Sequence, residues 1–148
     1  MRVVLDTNVL VSALIVKAGK PAQIMRHSSA FTLLLTEEVL AETAEVLGRK
    51  HIRKRYPVTD ADVKAYLRSL RAVGTVLEVA LQVDVITRDP EDNRFLALAQ
   101  AGGADYIVSG DPHLTELGIY AGIPILTPAQ FLDVLARREQ PPSPEDGE

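Results

Sequence analysis

The chain has 148 residues, 47% of them hydrophobic but with only three Phe and four Tyr, so it fits one domain whose core is filled by aliphatic side chains. It has no cysteine, which excludes disulfides, thiolate nucleophiles and cysteine zinc sites and agrees with a reducing compartment. A net charge of −4 argues against a general nucleic-acid coating protein. It leaves open an enzyme that meets a phosphodiester through metal ions and a local basic patch.

Val3, Val4 and Leu5 form a continuous aliphatic run of the kind buried on both faces of a parallel sheet. Asp6 stands where that strand stops. Two uses are open to it: an N-cap accepting from the Asn8 or Val9 amide, or a ligand in the crevice beyond the strand ends. Val9, Leu10, Ala13, Leu14 and Val16 then keep a helical stripe, broken at Gly19. Pro21 suits the first turn of a second helix that runs to about His27.

Phe31 to Leu35 predicts another strand, with Thr36 as the cap of a helix starting near Glu37. Val39, Leu40, Thr43, Val46 and Leu47 share one arc of that helix. Glu42 borders this apolar arc, whereas Glu38 and Glu45 point further towards solvent. Its stem can simply cover apolar surface, which is the plain use of such a residue.

Arg49, Lys50, Arg53, Lys54 and Arg55 put five cations into seven residues. They can complement a helix C-terminus or contact a phosphate backbone. Thr59 to Asp62 resembles a capping box, and Val63, Tyr66, Leu67, Leu70 and Val73 predict a helix that ends at Gly74. Val76 to Val79 and Val83 to Ile86 are short apolar pieces, a strand and a connection.

Asp89 and Pro90 read as N-cap and first helical residue. Asp92 projects from the middle of the apolar face made by Phe95, Leu96 and Ala99. A carboxylate there is costly unless it caps, pairs or binds a cation. Gly102 and Gly103 end that helix, and Tyr106 to Val108 is a further buried strand. It stops at Ser109-Gly110-Asp111-Pro112, repeating the arrangement at Asp6. Ile123 to Leu126 reads as an edge strand because Pro124 cannot donate to a ladder, and Thr127-Pro128 opens a last helix through about Arg137. The expected organisation is a single domain over 1–138 and a disordered, acidic, proline-rich tail over 139–148.

Alternating strands and helices predict an α/β three-layer sandwich around a mainly parallel sheet of four to five strands. Right-handed crossovers bring the strand ends to one edge, where Asp6 and Asp111 sit and where the helices bearing Glu42 and Asp92 begin. Convergence of four acids from distant segments is hard to attribute to four independent caps. Oxygen ligands without His or Cys favour Mg²⁺ or Mn²⁺, ions suited to phosphodiester hydrolysis.

Leu5 to Leu10, Thr36 to Leu47, Asp89 to Leu96 and Val108 to Asp111 together resemble the motifs of the PIN-domain ribonucleases, in particular the VapC-like toxin components of toxin-antitoxin modules. The resemblance covers roughly residues 1–136. It implies a metal-dependent endoribonuclease in which Asp6, Glu42, Asp92 and Asp111 hold one or two Mg²⁺ or Mn²⁺ ions, with Asp89 as an additional ligand. It places Asn8 and Ser109 behind these ligands, and implies a homodimer with an antitoxin partner in the active-site groove.

A haloacid-dehalogenase phosphatase would need a second Asp at position 8, which is Asn, and a receiver domain would need a Lys after its last strand, where Leu126-Thr127-Pro128 stands. A PIN-type module that binds nucleic acid or protein without catalysis remains the competing expectation. No apolar run approaches the ~18 residues of a membrane span, and no signal peptide precedes the first strand, so the expected location is cytoplasmic.

Overall fold

The computed structural model describes residues 1–80 and 92–139. The expected connection at 83–86, the Asp89 cap and ligand, and the tail beyond Glu139 lie outside the described residues.

The β1 strand (Arg2–Leu5) leads through α1 (Thr7–Ile15), α2 (Lys20–Arg26) and a 3₁₀ turn (Ser28–Ala30) to β2 (Thr32–Leu35). Next come α3 (Glu37–Leu47), α4 (Lys50–Arg55), α5 (Asp60–Val73) and β3 (Gly74–Val76). After the undescribed segment follow α6 (Asp92–Gly102), β4 (Tyr106–Val108), α7 (Pro112–Thr115), β5 (Ile119–Tyr120), β6 (Ile123–Leu126) and α8 (Pro128–Glu139).

Among the described residues the sheet has six strands in the order β3-β2-β1-β4-β6-β5, all parallel to their neighbours except β5 against β6. The strand expected at Val76 to Val79 lies earlier, as β3 over Gly74–Val76, and the sheet exceeds the expected four to five strands because the two-residue β5 is too short to show a hydrophobic pattern. The edge assignment of Ile123 to Leu126 is corrected: β6 lies between β4 and β5. Pro124 is tolerated there because pairing with β4 begins only at Ile125, opposite Ile107.

Val3, Val4 and Leu5 are buried, as the run predicts, and so are Leu33 to Leu35 and Ile107 to Val108. α6 packs across β1, β2 and β4, with Gly102 so close to β2 that a Cβ would stand 2.7 Å from Leu34 Cδ1. On the other face α1, α2, α3, α5 and α8 form a continuous layer. Phe131 of α8 meets the edge of Phe31 at a ring separation of 5.5 Å. Two stripe positions differ from expectation: Val16 and Val73 end their helices exposed, and Val11 is buried instead. Among the described residues no helix is long and apolar enough to cross a membrane.

The chain steps from β1 outward to β2 and β3, then returns to place β4 on the other flank of β1. The switch point of the topology therefore falls at the C-terminal ends of β1 and β4. That is where open α/β sheets form their ligand crevice.

Candidate metal centre

The residues after β1 and β4 are coupled by backbone and side chain. Asp6 N–H donates to Val108 O at 3.0 Å, and Ser109 N–H donates to Leu126 O at 2.9 Å, so both strand ends are fixed. Asp6 caps α1 by accepting the Val9 amide on Oδ1 at 2.8 Å, while its Oδ2 accepts the Ser109 hydroxyl. Ser109 Oγ in turn accepts the Asp111 amide at 2.9 Å, and Asp111 Oδ1 caps α7 through His113 N–H at 2.9 Å. Capping and convergence thus coexist in the same carboxylates.

Thr36 caps α3 with its hydroxyl on Val39 N–H, 3.1 Å away, which sets the phase of the helix. Glu42 is then half-buried, with Glu38 and Glu45 exposed, as the periodicity predicts. Asp92 opens the described part of α6 and is only 6% exposed, among Phe95, Leu96 and Ala99.

A cavity of about 200 Å³ at the switch point is lined by Asp6, Glu42, Asp92 and Asp111, together with Thr7, Asn8, Val46, Arg49 and Phe95. Its electrostatics are strained. Burial pushes the Asp6 carboxyl above its ordinary value and the Asp111 charge adds to this, while the hydrogen bonds from Ser109 and Val9 pull it back. A larger, more apolar cavity of about 430 Å³ lies elsewhere, among Leu14, Tyr56, Val58 and Tyr66. Its one carboxylate, Asp62, is engaged in the α5 capping box with Thr59, so it lacks converging reactive groups.

The donor set fits a hard divalent cation: carboxylates and amide and hydroxyl oxygens, with no nitrogen or sulfur. Thr7 adds a buried hydroxyl oxygen that has no hydrogen-bond partner among the described residues. Among the described residues no group of three or more acidic or histidine side chains is disposed to hold an ion as it stands.

The five cations separate by position. Arg49 lines the acid cavity and pairs loosely with Glu45 at 3.5 Å. Arg53 is committed to structure: Nε donates to Leu47 O at 2.7 Å and Nη2 pairs with Asp60 at 2.9 Å. Arg55 lies over the Tyr56 ring, and Lys50 and Lys54 are exposed. They belong to a separate short helix rather than to the end of α3.

Sequence reasoning missed Arg94, whose Nη1 stands 3.0 Å from Glu42 Oε2. Helical periodicity cannot reveal a pair whose members belong to different helices 52 positions apart. Thr7 was also missed, although its place directly after Asp6 was a signal.

A mainly parallel α/β sheet with acids gathered at its switch point defines the class, a fold built to hold a ligand beyond its strand ends. The chain belongs to the PIN domain family, whose profile matches residues 2–113. Among solved structures it is similar to a chain of VapBC2 from Rickettsia felis, crystallised bound to a DNA fragment from their promoter. The identity is 14%, the match covers 86% of this chain and 98% of that one, and the TM-score is 0.58. This likeness is one of fold. No curated protein matches the sequence.

Proposed function

We propose that the chain is a metal-dependent endoribonuclease, the toxin of a toxin-antitoxin module. The observation that carries this is the cavity at the switch point, where Asp6, Glu42, Asp92 and Asp111 meet from segments spread over most of the domain. Membership of the PIN domain family and the fold shared with a VapBC2 chain support it.

These four carboxylates would hold one or two Mg²⁺ or Mn²⁺ ions, with Asp89 as a further ligand. When bound, such an ion supplies the Lewis acidity that makes water a nucleophile at neutral pH and offsets charge on the phosphoryl oxygens. Ser109 and the Val9 amide fix the two oxygens of Asp6, which spares the site reorganisation when charge develops. Asn8, exposed at the cavity, orients substrate or ligand, and Arg49 lies where it can take an RNA phosphate. Lys50, Lys54 and Arg55 extend that contact along the backbone, and Arg53 keeps their helix in place. The protein would act in the cytoplasm as a homodimer, restrained by an antitoxin whose segment enters the same groove.

Purified protein should cleave RNA with Mn²⁺ or Mg²⁺, stop on chelation, and lose cleavage in Asp6→Asn. Cleavage by the variant at the wild-type rate would mark a contaminant and overturn the proposal. One observation favours a second reading, a PIN-type binding module without catalysis: Asp6 and Asp111 already serve as helix caps. That module would bind RNA or protein equally well with and without chelator and leave RNA intact.

A further inference from the structure

Glu42, one of the acids of the cavity, is matched by a full positive charge from the chain itself. Arg94 lies two residues beyond Asp92 on α6, and its guanidinium reaches Glu42 on α3 at 3.0 Å. The pair is only partly withdrawn from bulk water, with the Glu42 side chain 17% and the Arg94 side chain 38% exposed. Asp6 and Asp111 accept hydrogen bonds from hydroxyl and amide groups, which leave the carboxylate charge intact. A guanidinium instead cancels it, and draws on the same oxygen lone pairs that a divalent ion would use.

Building on the metal-site reading of the cavity, we propose that Arg94 is a positioning residue that competes with a divalent ion for Glu42. Asp6, Asp92 and Asp111 would hold the ion while Arg94 keeps Glu42 back. Glu42 joins the ion only when Arg94 is drawn away, and an RNA phosphate has the charge and the bidentate geometry to draw it. Completion of the ligand set is thereby coupled to arrival of the substrate's own charge.

The test is Mn²⁺ affinity, measured by calorimetry on the full chain without RNA. Arg94→Gln should tighten binding about 2–5-fold, the range allowed by a partly exposed ion pair. Arg94→Lys, which keeps the charge, should stay near the wild-type affinity. In a Glu42→Gln background, Arg94→Gln should have no further effect. Equal tightening in that background would mean that Arg94 acts only through its general field, and would overturn the proposal. Unchanged affinity in Arg94→Gln, with normal Mn²⁺ binding by the wild type, would overturn it while leaving the nuclease reading intact. No Mn²⁺ binding by any of these proteins would overturn both.

Discussion

The Asp6 carboxyl is 4% exposed and stands in the field of Asp111, and burial is the larger of the two causes that raise its pKa from 3.8. Between 3.8 and that raised value the native protein holds more protons than the unfolded chain. Stability is therefore fully present below the ordinary value and declines as pH rises through the window, and the penalty persists above it. Asp6→Asn removes the charge while keeping an oxygen for the Val9 amide, and Ser109 Oγ can accept the new N–H. In chelator at pH 7 the variant should be as stable as wild type or more stable, by about 1 kcal/mol. A loss of more than about 2 kcal/mol in urea unfolding would instead make the charged form a stabilising cap, at the upper limit for such caps. Asp6 is thus a costly charge in isolation, and a cation bound beside it would offset that cost.

The join between α5 and β3 depends on Gly74, for a reason different from the one its place at a helix end suggests. Its φ of −102° is open to any residue, so no left-handed turn requires glycine. What matters is space: a Cβ there would lie 2.7 Å from Leu35 Cδ1 and 2.9 Å from the Leu70 carbonyl oxygen. The leucine end can move, but the backbone carbonyl cannot move without disturbing α5. Gly74→Ala should cost about 1–3 kcal/mol, the range of overpacking. An unchanged urea midpoint would refute this close approach. The α5 to α1 contact offers a second check. Tyr66 donates its hydroxyl to Leu10 O at 2.5 Å, and burial raises its pKa above 10.0. Its contribution is present below the ordinary tyrosine value and is lost as pH rises beyond it. Tyr66→Phe should lose about 0.5–1.5 kcal/mol at neutral pH and show a weaker alkaline decline. Equal alkaline decline in both proteins would assign that effect to other groups.

Elements with a local cause were legible in advance. The caps at Thr36 and Thr59, the runs 3–5 and 33–35, and the phase that turns Glu42 inward all follow from neighbours within a turn or a strand. The places of Asp6 and Asp111 were legible because each follows a buried run. What depends on distant pairing was not. The two-residue β5 has no pattern of its own, so β6 read as an edge, and the Arg94–Glu42 pair joins two helices with no shared periodicity. The divided roles of the basic run were hidden for the same reason, since Arg53 is fixed by Asp60 across a turn that spacing alone does not define.

Across the molecule these parts form one thermodynamic linkage. The aliphatic sheet holds two carboxylates at its switch point, α3 and α6 bring two more, and the net charge of −4 gives no general relief from their repulsion. A cation that binds only this assembled arrangement must stabilise the fold, by about 2.7 kcal/mol at 100 times its Kd. For a domain of this size that corresponds to a rise in Tm of about 5–10 °C. Millimolar Mn²⁺ should produce such a shift, chelator should reverse it, and an equal ionic strength of NaCl should not reproduce it. Because the ligands must shed protons, the shift should shrink as pH falls towards the raised Asp6 value. In Asp6→Asn it should be largely lost. A shift of equal size in that variant would place the ion outside the acid cavity, and no shift in the wild type would leave the four carboxylates as structural groups alone.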